Sequence, residues 1–197
     1  MKETKDRSKI AIALVHEIYG INNHILSMSK KFEDEGYDVY CIDLLNNRTF
    51  DYEEADEAYS YFMNEVGFDK AKSKVLDCIH SIFNYYEKVY LIGYSVGATV
   101  AWLCSEEQEL INGVVGYYGS RIRDYIAIEP KVKTVLFFPL REKEFDIDAL
   151  IQVLEGKEKV SAYKFEGLHG FADSYSKYYN SKEKELSEKI LNEFICE

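Results

Sequence analysis

Residues 88–102 read KVYLIGYSVGATVAW, an apolar run followed by a glycine-flanked serine and a second apolar run. The first run, 88–93, is typical of a buried strand, and the second predicts a helix over about 96–105. Between them stands the pattern Gly-x-Ser-x-Gly at 93–97. A serine on such a strand-to-helix turn exposes its hydroxyl, and the glycines avoid collisions that larger side chains would cause. We therefore expect Ser95 to be a nucleophile.

The rest of the chain alternates short apolar runs with longer segments of helical spacing, which predicts an α/β fold with a mostly parallel sheet and helices on both faces. A helix should begin at Asn22 or Asn23 and end near Glu35, where Gly36 supplies the left-handed stop. Further helices are expected over 69–86, around 147–154 and over 183–196. The other predicted strands are 9–16, 37–43, 110–118, 131–138 and 161–165.

Helical periodicity also indicates which side chains face the core. In the helix over 69–86 the buried face should carry Ala71, Val75, Ile79, Ile82 and Tyr86, and in the last helix Leu186, Ile190 and Phe194. The segment 46–66 shows neither helical periodicity nor the short apolar runs of a strand. It is expected to form either a helical flap beside the sheet or an exposed connection with a few packed aromatic side chains.

Length and charge restrict the class of protein. The 197 residues fit one domain, 1–197, and carry a net charge of −11. That acidity argues against nucleic acid and anionic membrane surfaces as partners. The N-terminus lacks the apolar stretch of a signal peptide, so we expect a cytoplasmic protein that is a monomer or homodimer. The four cysteines form no CxxC pair, and no metal or cofactor is predicted.

A serine hydroxyl needs a general base, and the chain has four histidines. His24 and His80 fall within predicted helices. His169 lies in a loop after the last predicted strand, at the sheet edge where catalytic loops gather, and is the expected base for Ser95. His16, at the end of the first strand, is the alternative.

A carboxylate that orients the histidine should follow the strand over 131–138. Glu142 lies a few residues beyond that strand and is the preferred candidate, with Glu144 as the second choice. Asp146 and Asp148 are expected to begin the next helix, where its dipole favours negative charge. They remain weaker candidates for the acid.

Three segments together resemble one known family. GYSVG at 93–97, HEIYG at 16–20 and HGF at 169–171 look like the motifs of the dienelactone hydrolases, a family of α/β-hydrolases. The resemblance extends over about 9–196. It implies a single-domain α/β-hydrolase fold in which nucleophile, acid and histidine follow in that order along the chain.

The resemblance also implies roles for residues around the nucleophile. The family's usual cysteine is replaced here by Ser95, and a glutamate that interacts with the nucleophile corresponds to Glu17. The oxyanion hole would be formed by the backbone N–H groups of Ile18 and Val96. Glu17 and Tyr94 would support the site or contact the substrate.

The sequence departs from the family at three places. Ala98 replaces a second glycine after the serine, Pro139 stands where a glycine often opens the acid loop, and Asp173 lies where an arginine often binds the substrate carboxylate. No arginine follows Arg141, so a dienelactone substrate is not assumed. The remaining candidates for holding an anionic group are Arg48, Arg121 and Arg123.

These patterns predict a serine hydrolase that cleaves a small carboxylic ester or lactone through an acyl-enzyme, with such a small molecule as its partner. GxSxG does not identify the leaving group, so a thioesterase, amidase or acyltransferase with the same triad is the alternative. A non-catalytic binding module with this fold is a further alternative, because a fold does not guarantee turnover.

Overall fold

The computed structural model describes residues 8–196 and contains one parallel sheet of six strands, in the order β2-β1-β3-β4-β5-β6. All five strand pairings are parallel, as the alternation of strands and helices predicted. The strands are β1 (Ile10–Val15), β2 (Asp38–Ile42), β3 (Lys88–Tyr94), β4 (Gly113–Tyr117), β5 (Lys133–Phe138) and β6 (Val160–Lys164).

Helices cover both faces of the sheet. They are α1 (Asn23–Asp34), α2 (Ala55–Tyr61), α3 (Gly67–Ile82), α4 (Val96–Leu103), α5 (Ile147–Glu155) and α6 (Ser181–Cys196). Alternate residues of each strand enter different cores: Ile12 and Leu14 pack with α1 and α6, whereas Ala13 and Val15 pack with α3 and α4. Helix α5 closes a third cluster around Leu136. The α/β-hydrolase architecture predicted from the sequence is confirmed.

The signals at the ends of α1 are also confirmed. The Asn22 side chain caps the helix by accepting a hydrogen bond from the Ile25 N–H at 3.2 Å. Gly36 follows the helix with φ +97°, a conformation that glycine adopts without strain.

Three predictions about element boundaries and faces are wrong. Helix α3 ends at Ile82 rather than at residue 86, because a 3₁₀ turn at Phe83–Tyr85 follows it; Tyr86, expected on the helix, has an extended backbone and is partly buried. Strand β4 begins at Gly113 rather than at residue 110, because Leu110 and Ile111 close a turn onto the Glu107 carbonyl. In α6 the buried face is carried by Glu183, Ser187, Leu191, Phe194 and Ile195, whereas Leu186 is 46% exposed and Ile190 is partly buried. The polar side chains of that face are hydrogen-bonded, Glu183 to the Glu166 N–H and Ser187 to the Lys184 carbonyl, so the face can be buried.

The segment 46–66 is largely helical, which agrees with the first of its two interpretations. A 3₁₀ turn at Tyr52–Glu54 leads into α2, and a π-helical turn at Phe62–Val66 joins α2 to α3. Phe62 and Val66 anchor the segment in the core under α3. Of the helices within 8–196, none combines the length and the apolar character needed to cross a membrane.

Candidate active site

Ser95 occupies the tight turn between β3 and α4. Its backbone has φ 53° and ψ −115°, a conformation that L-residues rarely adopt, and its N–H donates to the Tyr117 carbonyl at 2.9 Å. A Cβ on Gly93 would collide with the Gly97 carbonyl, and a Cβ on Gly97 would lie 2.5 Å from the His16 carbonyl oxygen. The two glycines are therefore required by close backbone approach, as the motif predicted.

Replacing Ser95 with glycine is expected to stabilise the fold. Glycine takes a positive φ without strain, so Ser95→Gly should be more stable than Ser95→Ala by about 1 kcal/mol. Urea unfolding of the two variants measures this difference, since neither carries the hydroxyl. A glycine variant no more stable than the alanine variant would show that the turn is unstrained.

Ser95, His169 and Glu142 form a chain of hydrogen bonds. The Ser95 Oγ lies 2.9 Å from His169 Nε2, and His169 Nδ1 lies 2.7 Å from Glu142 Oε1. An ionised carboxylate can only accept, so Nδ1 carries the ring proton and Nε2 accepts from the serine hydroxyl. The histidine is thereby held in the tautomer that can remove a proton from Ser95.

The sheet brings these three side chains together from separate loops. Ser95 follows β3, Glu142 follows β5 and His169 follows β6, all at the carboxyl ends of parallel strands. The loops after β5 and β6 are joined by the Leu140 N–H, which donates to the Gly167 carbonyl at 2.7 Å. The constellation is therefore fixed by the sheet rather than by local sequence.

The alternative acids lie elsewhere. Asp146 caps α5 and accepts hydrogen bonds from the N–H groups of Asp148 and Ala149. Asp148 pairs with Lys164 at 2.7 Å. Glu144 is exposed, whereas Glu142 is the carboxylate bonded to His169.

The other three histidines have different surroundings. Both ring nitrogens of His16 serve the backbone: Nδ1 lies 2.5 Å from the Glu17 carbonyl oxygen, and Nε2 accepts from the Leu44 N–H at 2.9 Å. His24 is buried in α1 and burial lowers its pKa to about 4. His80 is exposed on α3.

Glu17 lies almost completely buried after β1, with 5% of its surface exposed. The Tyr118 hydroxyl donates to its Oε1 at 3.1 Å, whereas the Ser95 hydroxyl is bonded to His169. The interaction with the nucleophile that the family resemblance implied for Glu17 is thus replaced by one with Tyr118. Burial, reinforced by the charge of Asp173, raises the pKa of Glu17 to about 7.

The raised pKa of Glu17 predicts a pH-dependent stability. The unfolded carboxyl releases its proton near 4.5, whereas the folded one keeps it to about 7. The penalty for burying the charge is therefore absent below pH 4.5, grows through this window and is complete above pH 7. Glu17→Gln should leave the free energy of unfolding unchanged near pH 4 and raise it by up to about 3 kcal/mol near pH 8.

Urea unfolding of Glu17→Gln and wild type across this pH range measures that difference. The groups that bear on the Glu17 carboxyl are Asp173, His169 and Tyr118. Asp173 raises the pKa of Glu17, whereas His169 and Tyr118 lower it. Each of these effects is smaller than that of burial. A stability difference that is constant with pH would contradict a buried, titrating Glu17.

Of the two backbone amides expected to form an oxyanion hole, that of Val96 directly follows Ser95, and that of Ile18 belongs to the turn after β1. Val96 is the first residue of α4, so its N–H has no acceptor within the helix. Ile18 lies in the turn that the Gly20 N–H closes on the Glu17 carbonyl at 3.4 Å. Tyr94, by contrast, packs in the core with its ring stacked on Tyr117, and does not line the cavity of about 420 Å³ beside His169.

Tyr118, Asp173 and Tyr52 complete the site. The family resemblance placed Asp173 at a substrate-binding position, whereas sequence reasoning assigned neither Tyr118 nor Tyr52 a place in the site. Tyr118 follows β4, with its ring 5.0 Å from that of His169. The Tyr52 hydroxyl donates to Asp173 at 2.5 Å and so joins the segment before α2 to the histidine loop. Tyr118 could have been assigned to the site from its position at the end of a predicted central strand, where catalytic loops gather.

The three arginines considered for an anionic group are engaged elsewhere. Arg48 pairs with Glu57 at 2.8 Å, and the Arg121 Nε lies 2.5 Å from Asp124. The Arg123 guanidinium lies over the Phe145 ring. None of them lines either of the two cavities that adjoin His169, of about 420 and 340 Å³.

Comparison with known proteins agrees with this architecture. A model of the dienelactone hydrolase family matches residues 1–196. An uncharacterized protein of Bacillus subtilis, YczH, is 38% identical over 175 residues, which cover 87% of this chain and 85% of that protein.

A carboxymethylenebutenolidase of Pseudomonas putida is 24% identical over 148 residues, 70% of this chain and 62% of that enzyme. Among solved structures, a candidate dienelactone hydrolase from Klebsiella pneumoniae has a TM-score of 0.78 at 14% identity. That superposition covers 96% of this chain and 88% of the Klebsiella chain.

Proposed function

This chain belongs to the dienelactone hydrolase family, and we propose that it is a serine hydrolase that cleaves a small carboxylic ester or lactone through an acyl-enzyme. The observation that carries the proposal is the hydrogen-bonded chain Ser95–His169–Glu142, with Ser95 on a strained turn at the start of a helix. Strain of this kind persists where the surrounding fold imposes it and is common at functional sites.

In the first half of the reaction, the Ser95 Oγ attacks the carbonyl carbon of the ester. His169 Nε2 takes the hydroxyl proton as the bond forms, and Glu142 stabilises the positive charge that develops on the ring. The carbonyl oxygen becomes an oxyanion, which accepts hydrogen bonds from the N–H groups of Ile18 and Val96. His169 then gives its proton to the leaving alcohol, and the acyl group remains on Ser95.

In the second half, a water molecule takes the place of the alcohol. His169 removes a proton from this water, the resulting hydroxide attacks the acyl carbon, and the carboxylic acid leaves as Ser95 regains its proton. Every proton in this cycle passes through Nε2 of one histidine, so the hydrogen bond to Glu142 is kept throughout.

A matched set of acetyl compounds with p-nitrophenol, p-nitrothiophenol and p-nitroaniline as leaving groups tests the proposal. The wild-type protein should turn over the oxygen ester with saturation kinetics and an initial burst of p-nitrophenol equal to the enzyme present. Preference for the thioester or anilide would favour the thioesterase or amidase alternative. The absence of turnover of all three would contradict the proposed activity.

A further inference from the structure

A cavity of about 420 Å³ adjoins His169 on the side of Glu17. One wall comes from the segment Tyr52–Ala55, before and at the start of α2, and the opposite wall comes from the loop over 170–178. A second cavity, of about 340 Å³, adjoins His169 on the side of Glu142 and is lined by Arg141 and Lys143. We place part of the substrate in the larger cavity, on the side of Glu17. Its lining therefore indicates the chemistry of that part.

The charges in the wall of the cavity are mainly negative. The carboxylates of Glu53 and Asp173 line it, together with the Glu17 carboxyl, which is ionised only in part at neutral pH, against the single ammonium group of Lys177. Asp173 is fully buried and 3.5 Å from His24, but burial keeps that histidine neutral at neutral pH, so its ring does not offset the carboxylate. An anionic substituent would be repelled here.

Aromatic rings form the remainder of the wall. The rings of Tyr19 and Tyr52 meet at 50° with centroids 4.7 Å apart, and Tyr175 and Tyr178 are half-exposed at the rim. The Lys177 Nζ already lies over the Tyr178 ring, 5.1 Å from its centroid. The faces of tyrosine rings attract cations, and one of these rings therefore holds a cation within the protein itself.

One buried carboxylate in the wall also has spare capacity to accept hydrogen bonds. Glu17 is 5% exposed, and its Oε1 accepts from Tyr118, while its Oε2 makes no hydrogen bond within residues 8–196. Carboxylates buried without full compensation are costly, and a bound cation would offset that cost. No arginine lines this cavity to favour the opposite charge.

We propose that this cavity, the acidic tyrosine pocket, binds an organic ammonium group carried by the ester substrate. The inference rests on the proposed hydrolase function and names the substrate class for that site. Coulombic attraction to Glu53, Asp173 and Glu17 and contact with the Tyr19 and Tyr52 rings would select a cationic ester over a neutral one of the same shape.

Binding of choline and of neohexyl alcohol to the wild-type protein tests the proposal. In the alcohol a quaternary carbon replaces the nitrogen, so the two probes share one shape and differ in charge. Measured by ligand-detected NMR at low salt, choline should bind about tenfold more tightly than the alcohol. Tert-butylacetate, an anion of similar size, should bind more weakly than either.

Two variants test whether the preference for choline arises in this pocket. Glu53 is exposed, so Glu53→Gln should leave the fold intact and lower choline affinity about threefold without changing that of the alcohol. Glu57→Gln is the matched control, because Glu57 lies four residues away, pairs with Arg48 and does not line the pocket. It should leave the affinities for both probes unchanged.

Equal affinity for choline and the alcohol, or tighter binding of the anion, would overturn the proposal. An equal loss of choline affinity in Glu53→Gln and Glu57→Gln would overturn it as well. Binding is read without turnover, so the two proposals can fail separately. A protein that hydrolyses neutral esters but does not prefer choline refutes the ammonium pocket alone. A protein that prefers choline but cleaves no ester refutes the hydrolase function alone.

Discussion

Replacing Ser95 with alanine is expected to lower kcat for ester hydrolysis by about 10⁵-fold, with little change in KM. The loss is large because the acyl-enzyme forms on the Ser95 Oγ, and no other hydroxyl is hydrogen-bonded to His169 within residues 8–196. The backbone amides proposed to form the oxyanion hole, of Ile18 and Val96, remain, so hydrolysis about 10³- to 10⁴-fold above the rate in water should persist. Initial rates with p-nitrophenyl acetate measure both parameters.

A buried serine outside the site supplies the control. Ser105 ends the turn after α4, and its Oγ donates to the Trp102 carbonyl at 2.7 Å. Ser105→Ala removes a comparable hydroxyl from the core and should keep the wild-type kcat. If Ser95→Ala retained more than about a hundredth of the wild-type kcat, the nucleophile would be another group.

Replacing Glu142 with glutamine should lower kcat by about 10³- to 10⁴-fold. The amide removes the negative charge that stabilises the imidazolium, and its NH₂ group can donate to Nδ1 and so favour the tautomer with the proton on Nε2. In that tautomer the histidine cannot accept the Ser95 proton. The pH–rate profile of kcat/KM should also change, since the ring loses its ion pair with Glu142.

Glu144 provides the comparison for Glu142. It lies on the same loop and is exposed, so Glu144→Gln makes the same chemical change without a bond to His169. Its kcat should stay within about twofold of wild type, as for most surface substitutions. Similar losses in the two variants would mean that loop charge, rather than one positioned carboxylate, supports the histidine.

The turn that carries Ser95 could be predicted from the sequence because neighbouring residues determine its conformation. Gly93 and Gly97 are needed for close backbone approach around Ser95, so the turn leaves a five-residue pattern. The placement of His169 and Glu142 followed from a general rule, since loops at the carboxyl ends of parallel strands meet at one edge. Those two predictions depended on assigning β5 and β6 correctly.

The face of α6 could not be predicted by assuming that polar side chains point outward. Glu183 turns inward because its Oε2 accepts from the Glu166 N–H at 3.0 Å, and Ser187 because its hydroxyl donates to the Lys184 carbonyl at 2.8 Å. These bonds satisfy the buried polar groups, and the apolar Leu186 is left on the surface.

The acidic tyrosine pocket was also beyond the reach of sequence patterns. Tyr52 and Asp173 are 121 positions apart, and their contact depends on how the segment before α2 packs against the histidine loop. Tyr52 belongs to no motif, and the family resemblance that placed Asp173 near the substrate gave no sign of its contact with Tyr52. Only the fold shows that carboxylates and tyrosine rings share one wall beside His169.

The most direct test of a nucleophilic Ser95 is its covalent capture by a fluorophosphonate, followed by mass spectrometry of the digested protein. The wild-type protein should gain one adduct, on the peptide that contains Ser95. Ser95→Ala should gain none, and Glu142→Gln should be labelled much more slowly. An adduct on a different residue, or a wild-type protein that remains unlabelled while folded, would contradict the assignment of Ser95 as the nucleophile.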